Sequence, residues 1–510
     1  MMKVELKLLL MPADAAAFCG LALLAQCAVH KPHLQNLSTT YFDTPALRFK
    51  EHGMELRVRR AGRVWTETLK AGRHAVAGLP ERQQWEARID GPKPDLAALA
   101  ALVPKGSEWA KVLKAPSLAQ GLEPVFTNGF RRAAWSLRLP HGTLVDLTLD
   151  EGELRRGDAH EPISEIKLML KAGDPAALFD FALQLQARVR LRVAKFGKAA
   201  RGHALVALQP STGIKADTVE LVAGLTVEQG FRAIVSNCAA QMQDNEFGIV
   251  ASNDAESVHQ MRVGMRRLRS ALRLFAKWVT LPLFLQRELE WLSGELGAAR
   301  DADVLADITL ARISHACPTE AELLPLKQAA SVIAKAKRQR AAAAVGSVRY
   351  TRMMLGVVAW SQSSRWRESS EDSTRRALAA PLDKRAAKVI AKLHKKLLES
   401  GKRLENGSPE DRHSVRIAAK KARYATEFFQ RLRPAGRVKR YIKRLTALQD
   451  AIGSLNDATV ADKLLRQIES VHPELAHSTA FARGFLSCRS SQEVRELAEL
   501  WKQCSAMSPR

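Results

Sequence analysis

Two segments of this 510-residue chain carry one basic signature. The first runs Val258-His259-Gln260-Met261-Arg262-Val263-Gly264-Met265-Arg266-Arg267-Leu268-Arg269. The second runs Arg412-His413-Ser414-Val415-Arg416-Ile417-Ala418-Ala419-Lys420-Lys421-Ala422-Arg423. Both read His-x-x-Arg-x-x-x-basic-basic-x-Arg, and 413 − 259 and 423 − 269 both equal 154. A weaker echo follows each copy: Leu296-Gly297 with Asp301, then Ile452-Gly453 with Asp457, at an offset of 156. Guanidinium groups give forked hydrogen bonds to phosphate oxygens. Histidine adds a contact that titrates near neutrality. The chemistry indicated is the grip of an extended polyanion, and the repeat indicates that it is made twice.

Helices must position these residues. In the first copy Val258, Met261, Met265, Leu268, Leu272 and Phe275 step by three and four and form a core stripe. One residue round the helix run His259, Arg262, Arg266, Arg269 and Arg273, a cationic row about 21 Å long at 1.5 Å per residue. His413, Arg416, Lys420 and Arg423 form its counterpart. Like charges at this spacing cost a few tenths of a kcal/mol each. No Glu interrupts either row. A solvated basic face would intersperse acids, so a bound polyanion is the better reading. Asp301, Asp303 and Asp457 are expected to brace the rows by ion pairing. Ser408-Pro409-Glu410-Asp411 is a strong helix start, and Pro434 is expected to stop the second-copy helix.

The first 208 residues have a different texture. Period-two alternation marks strands at Val4–Leu8, Glu55–Arg59, Thr66–Lys70, Leu144–Asp150 and Ser164–Lys171. The polar faces pair charges two residues apart: Glu5 with Lys7, Arg57 with Arg59, Glu165 with Lys167. If the sheet closes with these faces inward, it makes a charged lumen that needs a charged ligand. A helix is expected over Asp174–Arg188. The expected organisation is therefore α+β: a strand-rich domain over 1–208, a linker at 209–217 and an all-helical duplicated bundle over 218–508. Ser361 to Arg376 reads as a surface loop.

Charge narrows the partner. Lys+Arg number 79 against 53 Asp+Glu, a net charge of +26. Residues 1–214 carry about 30 cations and 21 anions, so the surplus lies in both halves and is no basic tail. Such a surplus repels itself without an anionic partner. Aromatics are only 6% and no groove-entering motif is present, which argues against specific nucleic-acid readout. No apolar run approaches a bilayer-spanning length, and no membrane partner is expected. Near the N-terminus, Glu5, Pro12 and Asp14 interrupt the apolar stretch, so a mature strand and helix are expected there rather than an export signal. Cys19, Cys27, Cys238, Cys317, Cys488 and Cys504 have no metal-type spacing and read as reduced, mostly buried thiols of a cytoplasmic protein.

The second half resembles the CHAD family. VHQMRVGMRRLRSALRLF (258–275), LGAARDADVL (296–305), HSVRIAAKKARYATEFF (413–429) and LQDAIGSLND (448–457) carry the resemblance. It implies two similar helical bundles, a basic central surface and binding of inorganic polyphosphate, often on polyphosphate granules. The first half resembles the CYTH, or triphosphate tunnel, family through YFDTPALRFKEHGMELRVRR (41–60), TLKAG (68–72), ERQQWE (81–86) and SEIKLMLKAG (164–173). It implies an eight-stranded antiparallel tunnel. Phosphate would be held by Lys7, Arg57, Arg59, Lys70, Arg132 or the adjoining Arg131, Lys198 and Arg201. Mg or Mn would be held by carboxylates for hydrolysis of tripolyphosphate.

The acidic positions depart from that family. Lys3 stands where a Glu is usual, Arg82-Gln83-Gln84-Trp85-Glu86 has Gln for Glu, and the late strand reads Glu165, Lys167, Met169. The surviving acids are Glu5, Glu86, Asp146 or Asp150, and Glu165. Glu5 and Glu165 are the catalytic candidates; Glu5, Asp150 and Glu165 are the metal candidates. Replacing carboxylates by lysine repels a metal and attracts polyphosphate. The expected function is polyphosphate binding with weakened catalysis. The alternative is a metal-dependent inorganic triphosphatase whose helical domain tethers polyphosphate.

Overall fold

The computed structural model describes residues 4–72, 83–113, 118, 121–194, 197–205, 213–316, 320–363, 366, 370–402, 404 and 408–507. Lys3, Arg82, Cys317 and residues 209–212 of the expected linker lie outside the described residues. The chain forms two compact units, residues 1–210 with 351–363, and residues 211–350 with 364–510.

The first unit is built on one antiparallel sheet. Its strands are β1 (Glu5–Leu10), β2 (His33–Asp43), β3 (Met54–Ala61), β4 (Val64–Ala71), β5 (Gln83–Ile89), β6 (Glu123–Arg138), β7 (Leu144–Arg156), β8 (Ala159–Ala172) and β9 (Leu191–Val193). The order is β5-β4-β3-β2-β6-β7-β8-β1-β9, one strand more than the expected eight. Alternation drives the folding of this sheet. Leu6, Leu8, Leu10, Leu147, Leu149, Ile166 and Leu168 share one face and are buried under the helices Ala15–Cys19, Ala22–Cys27 and Pro175–Gln186. Leu355 and Ala359 join this core. The Pro175–Gln186 helix starts with Asp174 capping Ala176 N, a local reason for its boundary.

The second unit is helical. The first repeat helix spans Ala255–Phe275, capped by Asp254 on Ser257 N, and the second spans Pro409–Phe428. The second begins with a reciprocal capping box between Ser408 and Asp411. It ends at Phe428, short of Pro434, which instead opens the 37-residue helix Ala435–Val471. Val258, Met261, Met265, Leu268 and Phe275 are buried as the stripe requires.

Three expectations change. The supposed surface loop contains a helix, Asp372–Ala379, because Ser373 to Ala379 lacks any breaker. The end of the expected linker is tied into the second unit. Asn245 donates to the Ile214 carbonyl and accepts from its N–H, and Asn237 donates to the Asp217 carbonyl. Cys238 and Cys504 are buried, but Cys19 and Cys488 are exposed, against the expectation of mostly buried thiols. Among the described residues no helix is long and apolar enough to cross a membrane.

Candidate anion sites

Strand register puts the charged residues of the first unit on one face. Arg57 pairs with Tyr41 and Thr68, Lys70 with Glu55, Arg132 with Asp150, Asp150 with Glu165, and Lys167 with Thr148 and Lys7. Directly opposed residues point the same way. One face therefore carries Lys7, Arg57, Arg59, Lys70, Arg132 and Lys167, with Glu5, Glu55, Asp150 and Glu165 among them. The face is concave. Lys70 on β4 and Lys7 with Glu5 on β1 act on each other electrostatically, though six places separate those strands in the sheet order.

Burial first, and crowding of like charge after it, show in the titration of these cations. Burial, Arg57 and Lys7 bring Lys70 down to about 7. Burial, Arg57 and Arg132 bring Arg59 down to about 10. Lys167 is lowered too, chiefly by burial. Burial opposes ionisation of Glu5, but Lys7, Lys167 and Lys70 outweigh it and hold it below the usual carboxylate range. The face stores repulsion that an anion would relieve.

Two further cations arrive on the short helix Lys198–Ala204. Lys198 Nζ donates to Asp150 Oδ2 at 2.8 Å and Glu165 Oε1 at 2.7 Å. Arg132 forks onto both oxygens of Asp150 at 2.7 and 2.8 Å. Burial works against the Asp150 carboxylate, yet Arg132 and Lys198 prevail and lower it. Arg201 pairs with Glu161 and its Nη1 lies 4.0 Å from Glu165 Oε2. Phe130 lies beneath both Arg132 and Lys198, at 5.4 and 5.1 Å from its ring. Arg131, the neighbouring alternative, points to the other face and pairs with Glu151.

A divalent cation does not fit these carboxylates as they stand. Glu5 opposes Met169 while Glu165 opposes Leu9, four residues along, about 13 Å at the rise of a strand. Glu5 is paired with Lys7 at 3.1 Å. Of Asp150 and Glu165, only Glu165 Oε2 is left without a hydrogen bond. Among the described residues there is no group of three or more acidic, His or Cys side chains placed to hold a metal. Glu86 stands exposed on the edge strand β5, beside Gln84.

In the second unit both repeat helices face one cavity of about 480 Å³. His259, Arg262 and Arg266 come from the first, and Arg416, Lys420 and Arg423 from the second. The rows are not used whole. Arg269 and Arg273 line a separate pocket, with Arg269 on Ser293, because the helix turns them away from the second copy. His413 is exposed and outside the lining. Glu427 closes the second row and lies 3.5 Å from Arg423. Arg267, one of the basic pair in the motif, is buried instead and binds Gln241 and Asn237, a packing role.

Arg300, Arg312, Arg489 and Tyr424 also line the cavity and were not anticipated, as do the acids Asp450 and Glu493. Arg300 sits inside the LGAARDAD segment, so its position beside Asp301 was a readable signal; Arg312 and Arg489 belong to no repeat. The expected bracing holds for one acid: Asp301 binds Arg262 at 2.8 Å. Asp457 acts on Arg416 through its field, and Asp303 instead binds Arg338, outside both rows. The cations still exceed the acids. Burial first, then Arg416, Arg266, Arg262 and Arg423, lower Lys420 to about 7. Burial and Arg300 lower His259 to about 4, so its imidazole is neutral at pH 7 and is not the neutral-pH switch expected. Nε of Arg266, Arg416 and Arg423, Nδ1 of His259 and the Tyr424 hydroxyl are buried and lack a hydrogen-bond partner.

Comparison with known proteins places each half of the chain in a domain family. The CYTH domain family matches residues 1–203 and the CHAD domain family matches residues 233–466. The crystal structure of the CHAD domain from the plant Ricinus communis is 36% identical, covering 59% of this chain and 98% of that one, with a TM-score of 0.53. An inorganic triphosphatase of Haemophilus influenzae is 31% identical over 170 residues, which is 33% of this chain and 46% of that protein. The chain thus spans less than half the length of that curated relative. The protein belongs to the CYTH–CHAD class: a CYTH domain followed by a CHAD domain.

Proposed function

We propose that this protein binds inorganic polyphosphate in the cavity between its two repeat helices and holds short phosphate chains, tripolyphosphate included, on the concave face of its sheet. One observation carries the reading. Arg266, Arg416 and Arg423 line a single cavity, and the buried Nε of each guanidinium has no protein acceptor. A buried donor without a partner costs about 1–3 kcal/mol, and a phosphate oxygen supplies that partner. The test is calorimetric titration of the full chain with long-chain polyphosphate. Binding should be tight, weakened by Arg266→Ala or Arg416→Ala, and resistant to competing DNA. Equal displacement by DNA of matched charge would defeat the reading. The same interaction would attach the protein to polyphosphate granules in the cytoplasm, which imaging of a tagged chain beside a granule stain would test.

The Haemophilus influenzae relative favours a second reading, a triphosphatase at the concave face with Mg or Mn. Release of phosphate from tripolyphosphate at about 1 per second or faster, only with metal, would establish it. The ion pairs on Asp150 and Glu165 lead us to expect slower release or none.

A further inference from the structure

Asp150 and Glu165 are directly opposed on β7 and β8. Two acids so placed repel each other and, alone, would draw in a divalent cation. Here the gap is filled by a side chain. Lys198 Nζ is 2.8 Å from one carboxylate and 2.7 Å from the other, with only 12% of its side chain exposed. A hard divalent ion would need to lie about 2.0–2.6 Å from the same oxygens. The ammonium and the ion cannot share that space, and their charges repel.

The lysine does not belong to the sheet that carries the acids. It comes from the Lys198–Ala204 helix, which packs through Gly202 on Phe126 so closely that an added Cβ would lie 2.2 Å from the ring. The sheet's register is set without it.

We propose that Lys198 is a built-in counter-ion that keeps divalent metal off the Asp150–Glu165 pair. The proposal refines the concave-face half of the functional reading. Its test contains no phosphate chain, so the two fail separately. Mn²⁺ is titrated into the full chain and free ion is followed by electron paramagnetic resonance.

Wild type should bind Mn²⁺ weakly and no differently from Glu165→Gln. Lys198→Met should tighten binding about tenfold or more. That gain should vanish in the double variant Lys198→Met/Glu165→Gln, which separates this site from acids elsewhere. Lys198→Arg keeps the charge and should behave as wild type. Tight Mn²⁺ binding by wild type that is lost in Glu165→Gln would overturn the proposal, and this comparison holds even if Lys198→Met does not fold. So would a folded Lys198→Met, checked by circular dichroism, that gains no Mn²⁺ affinity.

Discussion

At the scale of single residues, the cavity of the second unit gathers more cations than acids. Hydrogen bonds to charged groups are worth roughly 1.5–3 kcal/mol, so Arg266→Ala should weaken polyphosphate binding by about tenfold to a hundredfold in calorimetry. Lys420 carries the pH dependence. Burial and its four arginine neighbours bring it to about 7, far below its unfolded value. A bound polyanion favours the charged form, so binding takes up a proton above pH 7. Affinity should therefore fall as pH rises from 7 towards 10, with an enthalpy that varies with the buffer. The unliganded fold shows the opposite trend. The native state binds fewer protons there, so stability from this group is lowest below pH 7 and rises with pH. Lys420→Arg should flatten both trends. The motif positions of these residues were legible because a repeat at fixed offset leaves few explanations. The inactive histidine was not. Its titration depends on burial in the folded bundle and on Arg300, a neighbour from another helix.

Elements were legible where one face is apolar and the other charged. β3, the first half of β7 and the second half of β8 alternate, while β4 places the buried Glu67 on the same face as Leu69 and Ala71. β2 does not alternate, because Asn36, Ser38 and Thr40 sit on the face away from the concave side and Thr39 is buried within it. The Lys198–Ala204 helix is too short for any period, and tertiary contact holds it. Two substitutions test how these elements are held. Gly202→Ala would drive a methyl into Phe126 and should cost about 1–3 kcal/mol in denaturant unfolding. Ser408→Ala removes a hydroxyl that accepts from Asp411 N, and should cost about 1 kcal/mol of stability. The shortened use of the cationic rows was hidden from sequence for a geometric reason. A row drawn on one helix says nothing of where a second helix crosses it.

Across the whole molecule the surplus of +26 acts over distance. Surface charge is screened within about 10 Å at 0.1 M salt. Binding of a polyanion should weaken by an order of magnitude or more between 50 and 200 mM salt, measured as a linear fall of log affinity with log salt. A salt-independent affinity would mean that the arginine contacts contribute little. The division into two domains was visible as a change of texture, from period two to period 3.6. The nine-strand sheet order was not, since three of its pairings, β2 with β6, β8 with β1 and β1 with β9, join strands remote in the chain.

The duplication has one more consequence. The cavity is assembled from two copies of a motif, with Arg262 matching Arg416 and Arg266 matching Lys420. Where the copies match, such a place reads alike from either end. A nucleic-acid strand has a direction, and reversing it changes every contact. A string of identical phosphates has none, and can be gripped in either sense without being read.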